Sequence, residues 1–283
     1  MWGGICDRTA TGLPTQPRHQ GSHPLLQRRE VDTGRGWWSV NHLVLLSGGK
    51  DSTAMALRLR EVEPRDYTYL CTPTGAELPD MEAHWSKLEG MLGQEIVRVG
   101  ERTLMGLCVE QKAIPNYRMR FCTRLLKIAP FKAYLVNSMP AVGYVGLRAD
   151  EAQREGVTYT EPEIKDGLTQ RYPLSEWGWG ISHVRGYLAE LGVTIPPRTD
   201  CDVCFFQRLG EWWRLWREHP DRYERGVLLE ATLGHTFRSD QRDTHPAALA
   251  DLRQEFEEGY VPRGADQLHL DIETGTRCAI CSM

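Results

Sequence analysis

From His42 on, apolar positions fall into short blocks that alternate with stretches of helical period. His42–Leu46 reads as a brief buried strand, followed by a glycine turn and by helix formers over Thr53–Glu61. Asp66–Cys71 reads as a second strand. Over Asp80–Leu92 the residues Met81, Trp85, Leu88 and Leu92 share one helical face. Ile96–Val99 is a third strand and Leu104–Lys112 a short helix. Leu125–Val136 is helical with an early Pro130, and Ala141–Leu147 is a fourth strand. Strands alternating with helices imply βαβ units, hence an α/β fold with a parallel twisted sheet between helical layers. Past Asp150 the pattern loosens. Tyr172-Pro173-Leu174 reads as a short edge strand, and Ile181–Leu191, Glu211–Trp216 and Pro220–Leu233 as helices. The expected organisation is a sheet domain over residues 39–180 and a mainly helical, cysteine-bearing appendage over 181–283.

Residues 1–38 lack any amphipathic period and are rich in glycine, proline and arginine. Such a composition buries too little surface to fold alone. The segment reads as a disordered tail or as the product of a start placed too far upstream. Asp7, Glu30 and Asp32 speak against a transit peptide. Over the 283 residues the chain is 41% hydrophobic and 25% charged, the balance of a soluble globular protein. A formal net charge of -4 excludes a strongly basic, histone-like protein but leaves room for a local basic groove. No apolar run reaches the roughly 18–20 residues that span a bilayer. No secretory signal is visible either, so the eight cysteines are read as thiols or metal ligands in a reducing, cytoplasmic compartment.

The sharpest chemical signal is Ser47-Gly48-Gly49-Lys50-Asp51-Ser52, between the first strand and its helix. Two glycines let the backbone turn tightly and approach a ligand. The helix start offers unpaired N–H groups and the positive end of its dipole. Ser47 and Ser52 add hydroxyls and Lys50 a cation, which together make an anion cradle. The bland alternative is a glycine turn with Ser or Asp capping a helix. A Walker A loop is excluded by the spacing. Asp51 suits Mg²⁺ beside nucleotide phosphates, or else caps the helix start. Arg148 and Arg154 suit a phosphate or sulfate at a strand end, or pair with Glu151 or Glu155.

Ser47–Ser52 resembles the SGGxDS signature of the PP-loop adenine nucleotide alpha-hydrolases. Further segments resemble the phosphoadenosine phosphosulfate (PAPS) reductase-like branch. Thr74-Gly75 with Glu77 and Pro79 is similar to its D-T-G-x-x-x-P element, with Pro73 where Asp is usual. Cys122-Thr123-Arg124 with Lys127 and Pro130 is similar to C-T-x-x-x-K-x-x-P, and Gly146–Glu151 with Arg154 to G-x-R-x-x-E-x-x-R. Tyr172-Pro173-Leu174 with Trp177 is similar to Y-P-L-x-x-W, and Cys201-x-x-Cys204-Phe205-Phe206-Gln207 to C-x-x-C-P-F-Q. The matches are collinear over residues 42–283. The resemblance implies the three-layer fold of that superfamily. It implies adenine-nucleotide binding by Ser47, Gly48, Gly49, Lys50, Asp51, Ser52, Thr74, Gly75 and Arg148, with Mg²⁺, and catalytic roles for Lys50, Asp51, Arg148 and Arg154. It is compatible with a homodimer and implies no membrane.

Cys201/Cys204 and Cys278/Cys281 both have C-x-x-C spacing, which lets two thiolates reach one metal. Relatives that reduce adenylyl sulfate hold a 4Fe-4S cluster with a Cys-Cys pair and a later C-x-x-C. Here Phe121 replaces the first member of the pair. The resemblance therefore implies an iron–sulfur centre, favoured over Zn²⁺, on Cys122, Cys201 and Cys204, completed by Cys281 or Cys278. Cys6, Cys71 and Cys108 read as tail or core cysteines, and His84 and His183 as structural.

Three functions follow. One is an ATP-using enzyme that cleaves at the α-phosphate, forms an adenylate and passes sulfur to an acceptor, a nucleic acid among the candidates. Lys50 and Asp51 favour it, as does the lack of the E-C-G-x-H tail of true reductases. The second is a strict sulfonucleotide reductase, acting on adenylyl sulfate or PAPS and releasing sulfite with a thioredoxin-type thiol donor. The third is a metal-stabilised nucleotide- or nucleic-acid-binding module using Trp212, Trp213, Trp216, Arg214 and Arg217, although such a stripe more often packs a core.

Overall fold

The computed structural model describes residues 40–154 and 162–265; Arg154 is described in its backbone only. Residues 1–38, Cys278 and Cys281 lie outside the described residues. Five strands form the sheet: β1 (Asn41–Leu45), β2 (Tyr67–Cys71), β3 (Val97–Arg98), β4 (Ala141–Tyr144) and β5 (Leu168–Arg171). Their order is β3-β2-β1-β4-β5, every pairing parallel. Helices α1 (Lys50–Val62) and α2 (Pro79–Leu92) connect the first three strands. The chain then returns past β1 to β4, and the strand order reverses between β1 and β4. In open α/β sheets the crevice beyond the strand ends at such a reversal is where ligands bind.

On one side of the sheet Val44, Tyr67, Tyr69 and Tyr144 pack with α1 and α2. Met81, Trp85, Leu88 and Leu92 are all buried there, as their spacing predicts. The same cluster takes in Val184 and Leu188 of α7 (Ile181–Glu190), so the core under α1 extends past residue 180. Leu43, Leu70 and Ala141 pack on the other side with Leu135 of α4 (Ala129–Val136) and Ile164 of the short α5 (Pro162–Lys165).

A further core belongs to the C-terminal half. Helices α8 (Leu209–Glu218), α9 (Pro220–Leu233) and α10 (Leu249–Glu257) bury Trp212, Trp213, Tyr223 and Phe256 together with Leu104, Leu107 and Cys108 of α3 (Leu104–Gln111). Arg217 lies over the Trp213 ring at 4.9 Å. The tryptophan–arginine stripe thus packs a core.

Two elements depart from the sequence pattern. The edge strand is Leu168–Arg171, and Tyr172-Pro173-Leu174 instead leads into a helical turn, α6 (Pro173–Glu176). Proline has no N–H to give a ladder, and its fixed φ suits the first helical position. The helix expected over Leu125–Val136 is α4 preceded by a π-helical segment, Thr123–Ile128, directly after Cys122. Five residues along an α-helix rotate about 140° from the start, whereas an i→i+5 ladder returns them nearly to the same face. Cys122 and Lys127 are such a pair.

Candidate nucleotide and thiol site

The cradle forms where β1 ends. Leu46 N donates to Leu70 O at 2.8 Å, and the chain then turns through Ser47, Gly48 and Gly49 into α1. Gly48 has φ +81°, and a Cβ there would stand 2.4 Å from Met81 Cε and 2.7 Å from Trp85 Nε1. Only glycine fits, for backbone and space alike. Gly49 N donates to Ser47 Oγ at 3.3 Å, Ser52 Oγ donates to Gly49 O at 3.1 Å, and the two hydroxyls are 3.0 Å apart. The serines therefore lock the loop on itself, and the open donors are the N–H groups at the start of α1.

Asp51 and Arg148 tie this loop to the end of β4. Arg148 Nη1 donates to Asp51 Oδ2 at 2.8 Å and Nε to Asp150 Oδ1 at 2.8 Å, while Nη2 is 3.3 Å from Glu151 Oε1. Burial works against the guanidinium charge, but Asp51, Asp150 and Glu151 overcome it and hold the pKa of Arg148 above the ordinary arginine value. Arg148 thus fixes Asp51 here instead of standing open to an oxyanion. Lys50 Nζ is 3.7 Å from Asp51 Oδ2. The other carboxylate oxygen, Asp51 Oδ1, is buried with no hydrogen-bond partner among the described residues. An unpaired buried carboxylate oxygen beside a phosphate cradle is a fitting ligand for Mg²⁺. Gly146 supplies the close approach: a Cβ there would stand 2.9 Å from Ser52 N and Cα. Arg154, the other arginine of this segment, has no described side chain.

Thr74, which is 1% exposed, joins the strand ends to the cysteines. Its N–H and its hydroxyl both donate to Glu77 Oε1, at 2.6 and 2.7 Å. The hydroxyl oxygen lies 3.2 Å from Cys201 Sγ. With its hydrogen on Glu77, that oxygen accepts from the thiol. Thr74 O accepts from Leu104 N at 2.7 Å, and Ala76 O from Asp202 N at 2.7 Å. Gly75, at φ +69°, lies so close to Thr103 that a Cβ would meet its Cγ2 at 2.7 Å. The segment before the cysteines also borders the cradle, since Thr199 Oγ1 is 3.9 Å from where a Gly49 Cβ would stand.

Cys201 and Cys204 share one turn, Cys204 N donating to Cys201 O at 3.3 Å. Burial pushes the Cys201 thiol up to about 11, against the pull of Lys127 and Thr74. Burial also raises Cys204, with Asp200 and Cys201 adding to the rise and Arg198 opposing it. Cys122 and Cys201 border the apolar cluster that contains Cys108, whose thiol burial pushes up to about 12. Soft thiols in an apolar pocket beside Lys127 and Arg198 have the donor chemistry of a zinc or iron–sulfur site. Among the described residues, no three His, Cys, Asp or Glu side chains converge on one ion position. The Cys201/Cys204 turn is the described part of such a site.

The remaining candidates are scaffold. His84 is buried 3.4 Å from Thr53 Oγ1, and burial lowers its pKa. His183 Nδ1 accepts from Gly180 N at 3.4 Å at the start of α7. Sequence reasoning passed over Arg198 and Thr199; the readable signal was a cation and a hydroxyl immediately before a C-x-x-C pair.

A family model described as the phosphoadenosine phosphosulfate reductase domain matches residues 41–212. No curated protein matches the chain. Among solved structures the chain is similar to phosphoadenylyl-sulfate reductase from Candida auris in a phosphate complex, at 14% identity and a TM-score of 0.45, over 56% of this chain and 76% of that one. It is also similar to the U34-tRNA thiolase NcsA from Methanococcus maripaludis with its [4Fe-4S] cluster, at 15% identity and a TM-score of 0.41, over 80% and 83% of the two chains.

Proposed function

The chain belongs to the phosphoadenosine phosphosulfate reductase domain family, and from that premise we propose that it is an ATP-using enzyme of sulfur chemistry. The observation that carries this reading is the junction of cradle and thiols. Thr199 borders Gly49 while Thr74, two residues beyond β2, touches Cys201. A nucleotide held by the loop is thereby close to the cysteine-bearing turn.

In this reading the N–H groups opening α1, with Lys50, hold the pyrophosphate portion of the nucleotide. Asp51 Oδ1 holds Mg²⁺, and Arg148 keeps that carboxylate in place. The dipole of α1 and these cations stabilise the charge that builds up as an acceptor oxygen attacks the α-phosphate and pyrophosphate departs. Cys201 and Cys204, with Cys122 and a further cysteine such as Cys281 or Cys278, hold an iron–sulfur centre. When bound, that centre supplies sulfur-transfer or electron-transfer chemistry. The acceptor is a small molecule or a nucleic acid, and the compartment is the reducing cytoplasm.

The test is a side-by-side assay of the anaerobically purified protein. Pyrophosphate release from ATP supports the proposal. Sulfite release from adenylyl sulfate or PAPS with a thioredoxin-type donor, without ATP cleavage, assigns it to sulfonucleotide reduction instead. Nucleotide binding with neither product assigns it to a binding module.

A further inference from the structure

Arg198 has an environment that the proposed chemistry leaves unused. Its side chain is 9% exposed, and Nη2 donates to Cys201 O at 3.2 Å. Nη1 is 3.1 Å from Glu211 Oε1 but out of hydrogen-bond alignment. Nε and Nη1 are both buried without a hydrogen-bond partner among the described residues. Unpaired buried donors on a charged group are costly and mark a place where a partner is missing. Glu211 is already engaged at the start of α8, where Oε2 accepts from Arg208 N at 2.6 Å. The nearby acids include Asp200, whose Oδ1 is likewise buried and unpaired, and both sulfurs of the C-x-x-C turn act on the guanidinium.

Resting on the reading of Cys201 and Cys204 as metal thiolates, we propose that Arg198 is a positioning residue that offsets the negative charge this turn acquires when it binds a soft metal. Each thiol gives up a proton as it binds, so two negative charges enter a buried loop that already carries Asp200. A cation one residue from the cradle wall and three from the first sulfur lowers the cost of that step. Arginine suits the place because its guanidinium stays charged when buried.

The probe is Co²⁺, titrated anaerobically into the full chain and read by thiolate-to-cobalt charge-transfer absorbance, with fold checked by circular dichroism. R198Q is expected to bind Co²⁺ about 10–100-fold more weakly, and R198K to recover part of the loss. The double variant R198Q/E211Q is expected to stay weak, because the sulfur charges remain unmatched. Wild-type affinity in R198Q, or recovery in the double variant, overturns the proposal, since Arg198 would then serve only Glu211. If R198Q does not fold, E211Q carries the test. Removing the competing carboxylate should tighten Co²⁺ binding, and weaker binding overturns the proposal. A wild-type protein without the charge-transfer band fails the metal reading itself, whereas a normal band that is indifferent to Arg198 fails only the present inference.

Discussion

Asp51 carries two demands on one carboxylate: Oδ2 holds Arg148, and Oδ1 is unpaired in a buried place beside the cradle. An amide of the same shape can satisfy neither demand, since it has no charge for the guanidinium or for Mg²⁺. Asp51→Asn is therefore expected to lower nucleotide turnover by about 10²-fold or more. Lys50→Ala should also abolish turnover while leaving the fold intact, because its ammonium is held only loosely at 3.7 Å from Asp51. Pyrophosphate release, followed beside a thermal melt, separates the two variants from simple unfolding. Turnover at the wild-type rate in either would remove that residue from the catalytic role.

At the scale of elements, the end of β4 and the start of α1 meet backbone to backbone at Gly146. Gly146→Ala must push the strand end off Ser52, carrying Arg148 away from Asp51. Nucleotide affinity is expected to fall at least tenfold, with a destabilisation of about 1–3 kcal/mol from overpacking. Isothermal titration with a non-hydrolysable ATP analogue reads the first effect and a melt the second. Trp212 tests the C-terminal helices, being wholly buried between Tyr223 and Phe237. Trp212→Ala is expected to cost about 3–5 kcal/mol; a variant that lost nucleic-acid binding with an unchanged melt would contradict its place in the core. The legible parts of the chain were those written in local pattern. Met81, Trp85, Leu88 and Leu92 announce α2 by their period, and two glycines between a strand and a helix announce the cradle. What the pattern withheld depends on distant partners. The π-helical turn after Cys122 has the composition of an ordinary helix, and the edge strand lies a few residues ahead of Tyr172 because Leu168–Arg171 pairs with β4. Thr199 and Arg198 acquire meaning only when folding sets them beside Gly49 and the sulfurs.

Across the whole molecule, the cysteine turn is fastened to the C-terminal helices as firmly as to the sheet. Asp202, inside the C-x-x-C, is fully buried and pairs with Arg222 and Arg225 of α9. Gly226 lets α9 approach so closely that a Cβ would meet Val203 Cγ1 and Leu249 Cδ1 at 2.9 Å. Leu249 begins α10, and Glu230 of α9 holds it: Oε2 accepts from Leu249 N at 2.6 Å and Oε1 from Phe237 N at 2.8 Å. Burial pushes Glu230 up to about 7, the two N–H groups and Arg238 opposing the rise. The folded protein therefore retains a proton on Glu230 that the unfolded chain, with an ordinary carboxylate near 4.5, gives up. Glu230 contributes this stability in full below about pH 4.5 and loses it as pH climbs through 7, because the folded state then loses its advantage in bound protons. The melting temperature of wild type minus that of Glu230→Gln should accordingly fall by a few degrees between pH 5 and pH 8, other titrating groups cancelling in the difference. The same ramp should raise the rate at which a thiol reagent labels Cys201 and Cys204 more in wild type than in the variant, since both are carried by the loop that α9 anchors. A difference that is flat across the range, or that rises with pH, would mean that Glu230 enters the folded state ionised and that its two N–H partners outweigh its burial.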